Sequence, residues 1–186
     1  MKRVPFEQAV EELVELYAGW TIPPEKWRLC DGGSLRLQGY DIAKDYDRCV
    51  LNTVIPLQDW PWELKGDYQG FLGVFMIPPK NSKELDEHCR FVERTGFGLA
   101  THLANIDLSQ IPSIVHELPS GRQIYLQKPE SIVVIYDMLI EEGLNWGEMQ
   151  VKTHLELVQE IERIARQRRE DALAGKCREL LSKHSM

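Results

Sequence analysis

A short apolar segment, two glycines and a second apolar segment follow one another between residues 27 and 57, and this order constrains the fold most. Residues 27–31 (WRLCD) have the composition of a short buried strand that runs into a glycine turn. The next residues, LRLQGY, fit either the opening of a helix or a second extended segment. Residues 50–57 (VLNTVIPL) are apolar and β-branched and end near Pro56, which predicts another strand.

The turn between these segments predicts a phosphate site. Gly32 and Gly33 lack a Cβ atom, so a polyphosphate could approach their backbone N–H groups closely. Ser34 could add a hydroxyl at the start of a helix, where anions are commonly bound. We therefore expect Gly32, Gly33 and Ser34 to bind the phosphates of a nucleotide.

Two alternating acids, Asp45 and Asp47, follow this turn. If residues 45–51 form a strand, both side chains point to the same face, because successive side chains alternate. Two carboxylates so close repel each other unless a divalent cation or a proton lies between them, which predicts a magnesium site. The alternative is a solvated polar turn that caps the next element.

This segment resembles the nucleotidyltransferase fold of the polymerase β superfamily, particularly its small bacterial and archaeal members. Their signature is a hydrophobic strand, a Gly-Gly or Gly-Ser turn, a helix and then an Asp-x-Asp pair. Residues 29–34 match the strand and turn, and Asp45 and Asp47 match the acidic pair. The resemblance implies that the turn holds the phosphates and that the two acids bind Mg²⁺. It also implies transfer of a nucleotidyl group from a nucleoside triphosphate to a hydroxyl acceptor, whose identity the sequence leaves open.

The chain also departs from the family pattern. Arg48 follows Asp47 directly, where the family has an apolar strand. The family places a third carboxylate on a later strand, but residues 122–127 (RQIYLQ) contain none, which leaves Glu117 on the preceding segment. These departures favour an alternative function, a catalytically inactive nucleotidyltransferase-fold protein that acts as a binding or assembly module.

The rest of the chain alternates between helix and strand patterns. We predict an amphipathic helix that ends at Gly19 with a solvated acidic face, a helix capped by Asn81 or Ser82 and ended by Gly96, and an apolar helix that begins at Pro129. We also predict a strand at residues 71–77 and a hairpin whose turn is at residues 119–122.

These elements predict an α+β fold with a nucleotidyltransferase-like mixed β-sheet flanked by helices. Residues 1–145 would form this core and residues 146–186 a C-terminal helical extension, interrupted at Gly175. Apolar residues on one face of the extension could pack on the core or form a seam with a homodimer or protein partner: Val151, Leu155, Val158 and Ile161.

The formal charge of −7 argues against a broad nucleic-acid-binding surface, since phosphate neutralisation needs clustered Lys and Arg. The basic run at residues 163–169 could attract phosphate, but its acidic neighbours favour a salt-bridged surface. Without an apolar run long enough to cross a bilayer or a charged leader, we expect a cytoplasmic protein without membrane contact. The scattered cysteines predict free thiols: Cys30, Cys49, Cys89 and Cys177.

Several aromatic residues lie in or directly after the loop that follows the second strand. Trp60 and Trp62 lie close in sequence to Tyr68 and Phe71. These rings could stack on a base or ribose. Core or lid packing is the favoured alternative, because aromatic rings bury large areas wherever a loop folds back on a domain.

Overall fold

The computed structural model describes residues 3–42, 49–63, 77–141 and 148–184. Within these ranges the chain forms helices and a five-stranded mixed sheet, which confirms the α+β class. The helices are α1 (Phe6–Gly19), α2 (Asp31–Leu37), α3 (Lys83–Thr95), α4 (Pro129–Glu141), α5 (Glu148–Gln167) and α6 (Asp171–His184). The strands are β1 (Arg28–Cys30), β2 (Val50–Pro56), β3 (Gly98–Ala104), β4 (Ser113–Glu117) and β5 (Gln123–Gln127).

The short strand β1 lies at the centre of the sheet, whose order is β3-β2-β1-β5-β4. Strand β1 is antiparallel to β2 and parallel to β5, so that Leu29 has Thr53 on one side and Leu126 on the other. Strand β2 is parallel to β3, and β4 is antiparallel to β5. At one edge of the sheet, therefore, β1 and β5 end and β2 and β3 begin. We call this the α2 edge, because α2 begins there.

Helix α1 supplies much of the main hydrophobic core. Its apolar residues recur at helical spacing and are buried together with apolar side chains of the sheet: Phe6, Val10, Leu13 and Tyr17 from the helix, and Leu29, Leu51, Ile55 and Leu126 from the strands. Burial of this apolar surface is the main driving force that holds the helix on the sheet. The prediction of an amphipathic helix that ends at Gly19 is confirmed.

The acidic face of α1 is exposed or partly exposed, as predicted, and it also makes specific contacts at the surface. Glu11 accepts hydrogen bonds from the backbone N–H and the hydroxyl of Ser120, at 2.9 and 2.7 Å. Glu15 pairs with Arg122 at 3.0 Å. Both partners lie in the turn between β4 and β5, so this face of α1 fixes the hairpin against the helix.

The predicted helix ends and the hairpin are confirmed. The Ser82 hydroxyl accepts a hydrogen bond from the Leu85 N–H at 3.0 Å and so caps α3. Gly96 ends α3 with a φ of +76°, a left-handed conformation that favours glycine. Helix α4 begins at Pro129, as predicted. The strand predicted at residues 71–77 lies outside the described residues except for Ile77, which is not in a strand.

Helices α4, α5 and α6 form a second apolar cluster with Leu35 of α2 and with Tyr40 and Ile42, which follow α2. Val158 and Ile161 are completely buried in this cluster. The central part of the predicted apolar stripe therefore packs within the chain. Within the described ranges, no helix is long and apolar enough to cross a membrane.

The predicted interruption at Gly175 is wrong, since Gly175 lies inside α6. The break occurs earlier, between α5 and α6, where Arg169 has a φ of +58°. A glycine in an exposed helix costs only about 1 kcal/mol relative to alanine, which the packing of α6 can offset.

Candidate functional site

Strand β1 passes directly into α2 at Asp31, whose φ is +50°. A left-handed conformation is uncommon for a residue with a side chain, and Asp and Asn tolerate it best. The Asp31 N–H donates a long hydrogen bond of 3.4 Å to Gln127 Oε1. The sharp change of direction is therefore made at Asp31, one residue before the two glycines.

Gly32 and Gly33 belong to the first turn of α2, and both are buried. A Cβ atom on Gly33 would approach Leu29 Cδ1 and Phe6 Cζ to 3.4 Å. Gly33 therefore lies against side chains of β1 and α1, at a separation close to ordinary van der Waals contact. The backbone N–H groups in the first turn of a helix have no intrahelical acceptors, so those of Gly32 and Gly33 remain the groups with which this turn could bind phosphate.

Ser34 is completely buried, and its hydroxyl is used inside the protein. It donates to the backbone carbonyl of Gln127 at 2.6 Å and accepts from Gln38 Nε2 at 2.9 Å. Gln38 Nε2 also donates to the same carbonyl at 3.0 Å. In this arrangement the Ser34 hydroxyl ties α2 to the end of β5 and is not exposed to a ligand.

The carboxyl group of Asp31 is partly buried and contacts α4. Its Oδ1 accepts a hydrogen bond of 3.2 Å from the Tyr136 hydroxyl. The Tyr136 ring in turn stacks on His154, with ring centroids 4.3 Å apart. Burial raises the pKa of Asp31 to about 6, while the hydrogen bond from Tyr136 acts in the opposite direction.

Strand β2 starts at the α2 edge, because β1 and β2 are antiparallel with Cys30 opposite Asn52. Cys49 directly precedes this strand, and its sulfur accepts a hydrogen bond from Arg3 at 2.8 Å. The two predicted metal ligands, Asp45 and Asp47, lie outside the described residues.

A polar pair lies further along β2 and β3. The Asn52 side-chain oxygen is 3.3 Å from His102 Nε2. Asn52 is buried and His102 is partly buried. Burial lowers the pKa of His102 to about 4, so the imidazole is neutral at pH 7.

Glu117, the remaining candidate for a third acid, lies far from the α2 edge. It is opposite Gln123, at the beginning of β5, whereas Gln127 at the end of β5 contacts α2. Strands β3 and β5 themselves contain no Asp or Glu. The register of the sheet therefore does not bring Glu117 to the turn at Asp31.

The aromatic residues of the described loop pack with one another. Trp60 is buried and contacts Trp62 edge to face, at 4.8 Å between ring centroids. Trp62 also contacts Trp20, which stacks on His88 at 6.4 Å. Core packing is thus confirmed for Trp60 and Trp62, whereas Tyr68 and Phe71 lie outside the described residues.

The basic run at the end of α5 includes ion pairs with its acidic neighbours. Arg166 pairs with Glu162 at 2.8 Å, and Arg168 pairs with Glu170 at 2.8 Å. The Arg168 guanidinium also lies 4.3 Å from the centroid of the Tyr40 ring. This agrees with the predicted salt-bridged surface for these two arginines. All four cysteines are free thiols.

Sequence reasoning did not identify Asp31, Tyr136 and Gln127 as members of one cluster. Asp31 was visible as an acid beside two glycines, at the point where a strand becomes a helix. Tyr136 and Gln127 follow it by about a hundred residues and reach it only through the parallel pairing of β1 and β5. No local pattern predicts that pairing.

Among the described residues, no group of three or more His, Cys, Asp or Glu side chains is placed to hold a metal ion. Asp45 and Asp47, the acids proposed to bind Mg²⁺, lie outside the described residues, so this finding does not apply to them. The chain matches no known family model, and no curated protein matches it significantly.

Proposed function

We propose that this protein is a magnesium-dependent nucleotidyltransferase that transfers a nucleotidyl group from a nucleoside triphosphate to a hydroxyl acceptor. One observation carries the proposal: β1, α2 and β2 follow one another so that the first turn of α2 and the start of β2 lie at the same sheet edge. The resemblance of residues 29–47 implies that phosphate-binding and metal-binding groups meet at such a point.

In this proposal the backbone N–H groups of Gly32 and Gly33 bind the phosphates. Ser34 fixes the turn to β5 through its bond to the Gln127 carbonyl. Asp45 and Asp47 precede Cys49, which leads into β2, by four and two residues in the sequence.

Asp45 and Asp47 are the residues that would hold Mg²⁺. Carboxylate oxygens are hard ligands of the kind that Mg²⁺ prefers, so this donor set fits the ion. When bound, Mg²⁺ neutralises the charge that develops on the phosphates. The protein's own contribution is to bind and orient the nucleotide against the acceptor.

A second candidate is a nucleotidyltransferase-fold protein without catalysis, which binds a partner or a nucleotide only. The burial of the Ser34 hydroxyl favours this candidate, since it removes one phosphate ligand from the turn. The lack of acids on β3 and β5 favours it as well.

Thermal melting with ATP, GTP, CTP and UTP, each with and without Mg²⁺, tests the proposal. A ligand that binds only the folded state raises the melting temperature. We expect one nucleotide to raise it in the presence of Mg²⁺, and we expect the D45N/D47N double variant to lose this shift.

The matched control is the E93Q/E179Q double variant, which loses two negative charges at exposed helical positions of α3 and α6. It should keep the full shift. A wild-type protein that no nucleotide stabilises, or a shift that survives in D45N/D47N, would contradict the proposed site.

A further inference from the structure

Strand β4 (Ser113–Glu117) is an open edge of the sheet that exposes apolar side chains on both of its faces. Ile114 is 36% exposed and Val115 is 55% exposed. Successive side chains of a strand point to opposite faces, so each face of this edge carries one of the two. The residues of β3, at the opposite edge, are buried or only partly exposed. Of the two edges, β4 is therefore the one that a further strand could join.

The backbone of β4 directs a row of polar groups away from the sheet. The Leu118 N–H donates to the Arg122 carbonyl at 2.8 Å, and the Lys128 N–H donates to the Pro112 carbonyl at 2.9 Å. Residues of an antiparallel strand bond to their neighbour alternately, so the even-numbered residues of β4 are those that bond to β5. The odd-numbered residues direct their N–H and C=O groups outwards, where the described part of the chain offers them no partner. Such a row is a template for another strand.

A second copy of β4 matches this edge in length and in hydrogen bonds. Val115 is the middle residue of the strand, and Pro112 and Pro119 lie beyond its two ends. When two copies pair antiparallel about a twofold axis at Val115, Ser113 of each lies opposite Glu117 of the other. Every outward N–H and C=O group of the strand then gains a partner. The prolines have no N–H group, so the pairing ends where the strand ends.

The side chains of two copies are compatible at this register. The two Val115 side chains face each other, and Ile114 lies opposite His116 of the partner copy, so both exposed apolar residues gain neighbours. Glu117, the one acidic residue of the strand, lies opposite a serine and not opposite its own copy. Like charges directly opposite each other would be destabilising. The pairing about Val115 therefore brings apolar groups together and keeps the acids apart.

We propose that two copies of this protein associate through β4, in an antiparallel pairing about Val115 that joins their sheets into one. Both copies use the same surface, so the contact closes on itself and gives a dimer without longer assemblies. The paired edge is short, so we expect a dimer that dissociates on dilution. This dimer does not depend on the nucleotidyl transfer proposed above.

Sedimentation equilibrium of the wild type, V115K and V134K tests the proposal. V115K places two ammonium groups opposite each other at the twofold axis, and lysines on edge strands commonly prevent strand pairing. We expect V115K to raise the dimer dissociation constant by about tenfold or more. V134K is the matched control, because it makes the same substitution at a valine of α4 that is 46% exposed. It should leave the dissociation constant unchanged.

Cysteine cross-linking tests the register, and it decides the outcome if V115K does not fold. The background is C89S, which removes the exposed native thiol. V115C should form a disulfide between copies, because residues that pair across the axis have Cα atoms about 5.5 Å apart. E117C should not, because its two Cα atoms would lie about 14 Å apart, four strand positions along the axis of the strands.

A wild-type protein that stays monomeric at every concentration tested would overturn the proposal. A dimer that V115K leaves intact, or that V134K weakens as much as V115K, would place the interface elsewhere and overturn it as well. Cross-linking of E117C that equals that of V115C would exclude the pairing about Val115. Dissociation by V115K alone, together with selective cross-linking of V115C, would support it.

Discussion

Replacement of Asp31 by Asn should stabilise the protein, and the gain should increase with pH. Burial raises the pKa of Asp31 from 3.8 to about 6, so between these values the folded state keeps a proton that the unfolded state releases. The contribution of Asp31 to the free energy of unfolding is therefore fully present below about pH 4 and is lost as the pH rises through about 6. Asn does not titrate, so D31N does not lose this stability as the pH rises.

The size of the effect follows from the shift. One pKa unit corresponds to about 1.4 kcal/mol, so the change from 3.8 to about 6 sets an upper limit of about 3 kcal/mol above pH 7. Asn also tolerates the φ of +50° at this position, and its side-chain oxygen can still accept the hydrogen bond from Tyr136. The variant should therefore keep the fold of the turn.

Urea unfolding of the wild type and D31N at about pH 4.5 and about pH 7.5 measures this effect. The difference in free energy of unfolding between the two proteins isolates Asp31, because all other groups titrate in both. We expect D31N to gain roughly 1–3 kcal/mol relative to the wild type between the two pH values. E93Q is the control, and its difference from the wild type should not depend on pH. A D31N difference that is constant, or that shrinks as the pH rises, would refute the argument.

Three further changes test other contacts, each by urea unfolding at neutral pH. Y17F removes a completely buried hydroxyl that bonds two threonine hydroxyls of β2 and β3, at 2.6 and 2.9 Å, and should cost about 1–3 kcal/mol. G96A should cost about 1–2 kcal/mol for the left-handed conformation and more for its contact with Arg3 Cγ, which a Cβ would approach to 2.7 Å. S34A leaves the Gln127 carbonyl without one of its donors and should cost about 1–3 kcal/mol.

The sequence predicted those parts of the fold that depend on local chemistry. The end of α1, the cap at Ser82, the left-handed Gly96 and the β4–β5 turn all follow from residue types within a few positions of one another. The free thiols also follow from the spacing of the cysteines. The helix break was misplaced because an isolated Gly175 is a weaker signal than the packing that keeps α6 continuous.

The candidate site could be predicted only in part. The two glycines and Ser34 were identified from sequence, but the burial of the Ser34 hydroxyl depends on the parallel neighbour β5. The same pairing brings Gln127 to Asp31, and the helix that follows β5 brings Tyr136. Contacts across about a hundred residues arise from the strand order, which local patterns do not encode.

The most direct test of the proposed function is to follow radioactive label from α-³²P- and γ-³²P-labelled nucleoside triphosphates into the RNA, proteins and small molecules of a heat-treated cell lysate, whose own kinases and polymerases are inactive. Nucleotidyl transfer retains the α-phosphate on the acceptor and releases the γ-phosphate in pyrophosphate. We predict that the wild type with Mg²⁺ transfers only the α-label and that D45N/D47N transfers none. Labelling by the γ-phosphate, equal labelling by the double variant, or no labelling by either protein would contradict the proposal.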